Sequence, residues 1–380
     1  MRIAYVLESL AYSGGVERII SEKANYLADR EGYDVSVIVC YGFSEPVSNV
    51  YFLSSKVRRF SLDIPYHSQY RYGYPRRLWE KWKLNRLLNR RLEDVVLRIA
   101  PDIILCPSCN FADIVCRLST KAVKIVESHE ARLFTKSERL YSHSALSGFF
   151  MRLYRKLYMN TIERKADVVV TLTKGDASEW RKAKRVEIIP NFTLMTATKT
   201  SDGSQKRAIA VGRLGWQKGF DRLISIWQVV SEKHPDWHLD IYGTGALEQE
   251  LKQTIHKAGL ASAVIHPFNP DISSCYAESS VFLLTSRFEG FGLVLIEAMR
   301  HGLPCVVFDC CYGPSEIVVN DSTGYVVANG DLQGFADKVC RLIEEPETRA
   351  AFSVAALRRS EMYNADTVMQ RWMNLFDSLV

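Results

Sequence analysis

The sequence predicts an α/β protein made of two doubly wound parallel sheets, each in its own domain. Three observations lead there. The 380 residues exceed what one hydrophobic core usually organises. Short apolar runs alternate with amphipathic helical stretches along the chain, the pattern of parallel strands covered by helices. The alternation halts at a polar stretch, TATKTSDGSQKR (Thr196–Arg207), and then starts again.

In the first series, RIAYVLE (Arg2–Glu8) reads as a buried strand. VERIISEKANYLADR (Val16–Arg30) follows as a helix with Val16, Ile19, Ile20, Ala24 and Leu27 on one face. The strands DVSVIVC (Asp34–Cys40), PDIILC (Pro101–Cys106), KAVKIVE (Lys121–Glu127) and ADVVVTLT (Ala166–Thr173) come next, with helical segments between them. The second series is RAIAVGR (Arg207–Arg213), HLDIYG (His238–Gly243), VIHPF (Val264–Phe268), VFLLTS (Val281–Ser286) and PCVVFD (Pro304–Asp309). An amphipathic helix, ADTVMQRWMNLFDSLV (Ala365–Val380), ends the chain. The expected domains are 1–195 and 196–363.

Composition is that of a soluble globular protein, with 47% hydrophobic and 24% charged residues. No apolar run approaches the ~18 residues of a membrane span. The N-terminus reads as a strand rather than a signal peptide. Nine cysteines show no zinc-type pairing; Cys106 and Cys109 form one C-x-x-C without a histidine pair, so reduced thiols are expected. Charge is uneven. Residues 1–195 carry 32 Lys and Arg against 21 Asp and Glu, net +11, while residues 196–380 carry 17 against 22, net −5. The first half is therefore expected to meet an anionic partner.

The segment 58–98 concentrates this charge. It holds 11 Lys and Arg, 4 Asp and Glu and 7 aromatics, among them Tyr66, Trp79 and Trp82. FFMRLYRKLY (Phe149–Tyr158) repeats the mixture. Cationic aromatic surfaces suit an anionic bilayer, and Arg76, Arg77, Lys81 and Lys83 are the candidate membrane or acceptor contacts. The alternative is a solvated helix face with its aromatics in the core. No nucleic-acid motif accompanies the charge.

The most informative run is SRFEGFGLVLIEAMRHG (Ser286–Gly302). A strand ends in a turn with Glu289, Gly290 and Gly292, and a helix with Leu293, Leu295, Ile296 and Met299 follows. Glycines between strand and helix leave amide groups open to an anion, which the helix dipole also favours. Glu289 and Glu297 add carboxylates that accept from hydroxyls. Hydroxyls next to phosphates describe a nucleotide sugar. By residues alone an ordinary strand–helix turn explains the run equally well.

This run resembles the E-G-F-G signature and second glutamate of the retaining, GT-B-fold glycosyltransferases of family 4. VGRLGWQKGFDRLI (Val211–Ile224) is similar to the family's segment with an arginine and a lysine five residues apart, and SGGVERII (Ser13–Ile20) to its N-terminal glycine loop. ESHE (Glu127–Glu130) and DCCYGPSEIV (Asp309–Val318) extend the likeness over most of the chain. The last turn resembles a subgroup acting in bacterial surface-polysaccharide and glycan assembly; its glycine and proline also fit simple turn geometry, so Asp309 and Glu316 receive no role.

The resemblance implies two Rossmann-like domains facing a central cleft, with helix 364–380 crossing back to the first. It implies that Gly14 and Gly15 touch donor phosphate, that Arg213 and Lys218 hold the diphosphate, and that Glu289 accepts from sugar hydroxyls and Glu297 from the ribose. The amides of Gly290, Phe291 and Gly292 would face phosphate or sugar, and His129 would line the reaction centre. Glu130 and Arg132 are weaker candidates. Each also has a plainer explanation as a turn glycine, a surface charge or a loop histidine. No Asp-x-Asp occurs, so no metal cofactor is expected.

The expected activity is transfer of a hexose or N-acetylhexosamine from a UDP-linked sugar to a lipid-linked glycan acceptor, with anomeric retention. The expected place is the cytoplasmic face of the cell membrane, held peripherally. A nucleotide-sugar epimerase on the same fold and a non-catalytic nucleotide-sugar-binding scaffold are the alternatives.

Overall fold

The computed structural model describes residues 1–11, 14–42, 51–73, 76–135, 145–269 and 271–380. The chain forms two compact units, Met1–Ile189 with Met369–Val380, and Pro190–Val368. The polar stretch Thr196–Arg207 is part of the second unit, where the Ser201 amide donates to the His301 carbonyl at 2.8 Å.

The first sheet contains β1 (Arg2–Leu7), β2 (Asp34–Val39), β3 (Arg58–Ser61), β4 (Ile103–Pro107), β5 (Val123–Ser128), β6 (Val168–Thr171) and β7 (Val186–Ile188). Their spatial order is β3-β2-β1-β4-β5-β6-β7, and the pairings are parallel. Registers align Tyr5 with Val37 on one side and Leu105 on the other. Strands covered on both faces must be apolar nearly throughout, and five of the six residues of β1 and of β2 are buried. The principal helices are α1 (Gly15–Ala28), α2 (Arg76–Ile99) and α3 (Ala145–Lys165). The last two bring Leu88, Leu92 and Ile162 onto Val6, Ile104 and Val126 of the strands.

The second sheet contains β8 (Arg207–Val211), β9 (His238–Tyr242), β10 (Ala263–His266), β11 (Val281–Leu284), β12 (Cys305–Asp309) and β13 (Gly324–Ala328), in the order β10-β9-β8-β11-β12-β13. It too is parallel. Its principal helices are α4 (Phe220–Lys233), α5 (Leu293–Arg300) and α6 (Leu332–Glu344); α7 (Ala365–Asp377) ends the chain and from Met369 onward belongs to the first unit. Trp227 of α4 is fully buried among Leu239, Leu283 and Phe335, and its indole N–H donates to Ser262 Oγ at 3.1 Å. A buried indole keeps that packing only when its N–H is satisfied. Two doubly wound parallel sheets are thus present, as the sequence alternation requires. No helix among the described residues is long and apolar enough to cross a membrane. All nine cysteines are free thiols.

Candidate active site

β8 and β11 are neighbours although β9 and β10 lie between them in sequence, so the winding of the second sheet reverses at this pair. In open α/β sheets ligands bind at the carboxyl ends of the strands flanking such a reversal. Arg213 lies just past β8, and the run Ser286–Gly292 just past β11. The two segments that the sequence singled out therefore emerge side by side.

A 3-10 turn, Trp216–Lys218, leads into Gly219 at φ 65°. A Cβ on Gly219 would stand 2.2 Å from the Thr285 carbonyl oxygen, so only glycine lets this turn close against the end of β11. The closure brings Lys218 Nζ to 2.7 Å from Glu289 Oε1. Ser286 Oγ donates to the same oxygen at 2.6 Å. Glu289 is buried, and its backbone is held on both sides. Its N–H donates to Cys311 O at 3.0 Å, and its carbonyl accepts from the Tyr312 N–H at 2.9 Å.

Arg287 fastens the two segments together. Its guanidinium donates to both Asp221 carboxylate oxygens at 2.8 and 2.6 Å and to the Trp216 carbonyl at 2.7 Å, while its own N–H donates to the Gln217 carbonyl at 2.7 Å. Hydrogen bonding to Arg287 holds the Asp221 carboxyl below its ordinary value, against a smaller opposing push from burial. Sequence reading passed over Arg287, Asp221 and Ser286. Arg287 and Ser286 sit within the singled-out run, but nothing linear marks their partners.

Arg213 is exposed and makes no ion pair with a described residue, unlike Lys218. No described residue accepts a hydrogen bond from the amides of Gly290, Phe291 or Gly292, and Gly292 caps α5 at φ 99°. These donors stand open at a helix start, where an anion is favoured. Glu297, within α5, is buried; Tyr276 Oη donates to its Oε2 at 3.3 Å. Its carbonyl lies 2.8 Å from His301 Nδ1, and Ser273 Oγ stands 2.7 Å from His301 Nε2. Burial holds the His301 imidazole below its ordinary pKa, so this ring is neutral near pH 7.

In the first sheet the reversal falls between β1 and β4. Gly14 and Gly15 open α1 after β1, and Ser13 lies outside the described residues. A Cβ on Gly14 would stand 2.1 Å from Glu17 Oε2, so the Glu17 carboxylate folds back over Gly14. Burial pushes that carboxyl up, its own backbone amide holds it down, and Glu8 pushes it up again. An anion reaching Gly14 meets this acid first.

His129 lies at the carboxyl end of β5 and is buried, with Nε2 3.1 Å from Glu127 Oε2. The chain beyond it is pinned. The Arg132 N–H donates to Asp176 Oδ1 at 2.6 Å, and Arg155 donates to the carbonyls of Arg132 and Thr135. Arg132 itself pairs with Glu163 at 3.2 Å.

Arg76, Arg77 and Lys83 are exposed on α2, and Lys81 is half-buried over the Tyr154 ring at 4.2 Å. Trp79 and Trp82 are 55% and 54% exposed, whereas Tyr66 packs inward against Phe111. The first turn of α2 has no acidic residue. Two cations at the positive end of a helix favour an anionic partner there. Phe149, Leu153 and Leu157 of α3 are also exposed. Among the described residues no group of three His, Cys, Asp or Glu is placed to hold a metal.

Comparison with known proteins accords with this arrangement. The family model for Glycosyltransferase Family 4 matches residues 13–193, and that for Glycosyl transferases group 1 matches residues 193–359. An uncharacterized glycosyltransferase of Haemophilus influenzae is 29% identical over 98% of this chain and 99% of its own. The amylovoran biosynthesis glycosyltransferase AmsD of Erwinia amylovora is 28% identical over 99% of each. The structure of HepE from Anabaena, solved with UDP and glucose, superposes with a TM-score of 0.72 at 18% identity over 100% of both chains, a likeness of fold.

Proposed function

The chain belongs to the family 4 glycosyltransferases of GT-B fold, and from that premise we propose that it moves a hexose or N-acetylhexosamine from a UDP-linked sugar to a lipid-linked glycan. One observation carries the reading. Lys218 and Glu289 meet at the switch of the second sheet beside the open amides of Gly290–Gly292. A cation and amide donors suit a diphosphate; a buried, oriented carboxylate suits the hydroxyls of the attached sugar.

In this reading Arg213 and Lys218 neutralise the leaving diphosphate, Glu289 orients the sugar and Glu297 accepts from the ribose. His129 takes the place at the reaction centre that the family resemblance implies. Gly14 and Gly15 reach the donor phosphate only once Glu17 turns away or takes a proton. The family implies retention; with no side chain among the described residues positioned as an obvious nucleophile, attack from the leaving-group face is the course expected for it, and the charge partners named need no metal. UDP in the HepE structure supports UDP as the nucleotide. The part of the Erwinia relative in amylovoran biosynthesis supports a glycan acceptor. The exposed Trp79 and Trp82 beside Arg76, Arg77 and Lys83 support peripheral docking on the cytoplasmic face of an anionic membrane.

The test is a melting panel of nucleotide sugars followed by product analysis. A donor that binds only the folded chain raises the melting temperature, by RT ln(1 + [L]/Kd) in free energy. A UDP-sugar should stand out, and its sugar should appear on a glycan acceptor. Free epimerised sugar formed without acceptor, or no response to any UDP-sugar, would overturn the reading.

A further inference from the structure

α1 carries Lys23 on the face that also holds Ile19, Ile20, Ala24 and Leu27, and the structure buries it with them at 1% exposure. A buried cation persists only when it is paired. Lys23 Nζ is bonded to Glu127 Oε2, near the carboxyl end of β5. The same ammonium lies 4.0 Å from the centre of the Trp372 ring and 5.7 Å from that of Tyr5. Trp372 belongs to α7, so the end of the chain closes over this pair within the first unit.

Glu127 is 2% exposed. Burial disfavours its charge, but Lys23 and then His129 outweigh burial and hold the carboxyl down at about 2. Its Oε2 also faces His129 Nε2 at 3.1 Å, in a contact bent from the ideal hydrogen-bond line. An Nε2 without hydrogen would set a lone pair against a carboxylate at that range. The arrangement therefore favours hydrogen on Nε2 and leaves Nδ1 as the lone-pair atom.

We propose that Lys23, Glu127 and Trp372 are positioning residues for His129, fixing its tautomer and ring orientation. The proposal rests on the reading of His129 as a residue of the reaction centre. Lys23 keeps Glu127 an acceptor; a protonated Glu127 could donate to Nε2 and reverse the tautomer. Trp372 holds the Lys23 ammonium by its ring face, which ties α7 to the histidine through Lys23 and Glu127.

The test uses the full chain with 15N-labelled histidine. Long-range 1H–15N spectra identify the tautomer of each ring, and the signal lost in His129→Gln is that of His129. In the wild type, His129 should be the Nε2–H form. In Glu127→Gln the amide NH₂ can face Nε2, and the signal should move to Nδ1–H. UDP release from the nucleotide sugar selected by the melting panel should fall roughly 10–100-fold in kcat, with donor KM within about twofold. Lys23→Met should move the signal the same way, and Trp372→Leu should do so in part while Trp372→Phe retains the wild-type form.

A wild-type His129 in the Nδ1–H form overturns the proposal without any variant. So does a folded Glu127→Gln protein with unchanged tautomer and unchanged kcat. If the tautomer moves and kcat does not, the positioning stands and the reaction-centre role of His129 falls.

Discussion

Lys218→Ala perturbs two things that the structure allows to be separated. The first is catalytic. Losing one charge partner of a developing anion costs ~10²–10³ in rate, or ~2.7–4 kcal/mol. The second concerns stability. Lys218 Nζ lies 2.7 Å from Glu289 Oε1, with side chains 18% and 7% exposed. Without Lys218 the buried carboxylate keeps Ser286 Oγ at 2.6 Å but loses its cation. Leaving a buried polar group partly unsatisfied costs ~1–3 kcal/mol, which for a domain of this size lowers Tm by roughly 2–10 °C. Adding Glu289→Gln removes the stranded charge, so the double variant should recover Tm but not rate. Arg213→Ala, which breaks no ion pair with a described residue, should lower the rate with Tm nearly unchanged. The assay is UDP release at saturating donor, with circular dichroism at the assay temperature to confirm folding. A folded Lys218→Ala protein whose kcat stays within about threefold of wild type would refute the diphosphate assignment, since the electrostatic argument demands far more.

Four further outcomes are expected. Arg287→Lys and Asp221→Asn should each lower kcat by loosening the Lys218 turn; because they break one bidentate contact, their effects should be non-additive by ~0.5–3 kcal/mol in a double-mutant cycle, and simple additivity would dismiss the clamp. Activity should survive dialysis against excess EDTA, and loss restored by manganese or magnesium would reject the metal-free course. Glu127 sits below its ordinary pKa, at about 2, so the folded state holds fewer of its protons than the unfolded state between about pH 4.5 and 2; stability from this group is full above that window and is lost as pH falls through it, by about 3 kcal/mol, and acid denaturation of Glu127→Gln should lack this component. Replacing Arg76, Arg77, Lys81 and Lys83 together by Gln should weaken sedimentation with anionic liposomes and raise the KM for lipid-linked acceptor but not for donor, with Arg76, Arg77 and Lys83 contributing most at about 1 kcal/mol each; equal binding of wild type to neutral and anionic vesicles would return α2 to a solvated face.

What the sequence made legible follows from what a parallel sheet requires. A strand covered on both faces has to be an unbroken apolar run, which is why β1, β2, β4, β11 and β12 stand out in the bare letters. The strands that reading passed over, β3, β7 and β13, are all sheet edges. An edge strand pairs on one side, and part of its surface can face water, so Arg58–Ser61 and Val186–Ile188 need no apolar signature. The same logic divides the site residues. The Gly219 turn, the open Gly290–Gly292 segment and Lys218 are local features of strand ends, so motif and position coincide. The groups that orient them come from afar: Asp221 lies 66 residues from Arg287, and Lys23 lies 104 from Glu127. No periodicity reports such pairs. Yet Lys23 did leave a trace, because residues 19, 23 and 27 fall on one helical face and the middle one is charged. A cation on a face otherwise apolar must be exposed by a twist of the helix or paired in the interior. Glu17 left no comparable trace. A carboxylate in the first turn of a helix is an ordinary capping choice, and only coordinates reveal that it curls over Gly14 and screens the very glycine that the motif presents as an anion contact.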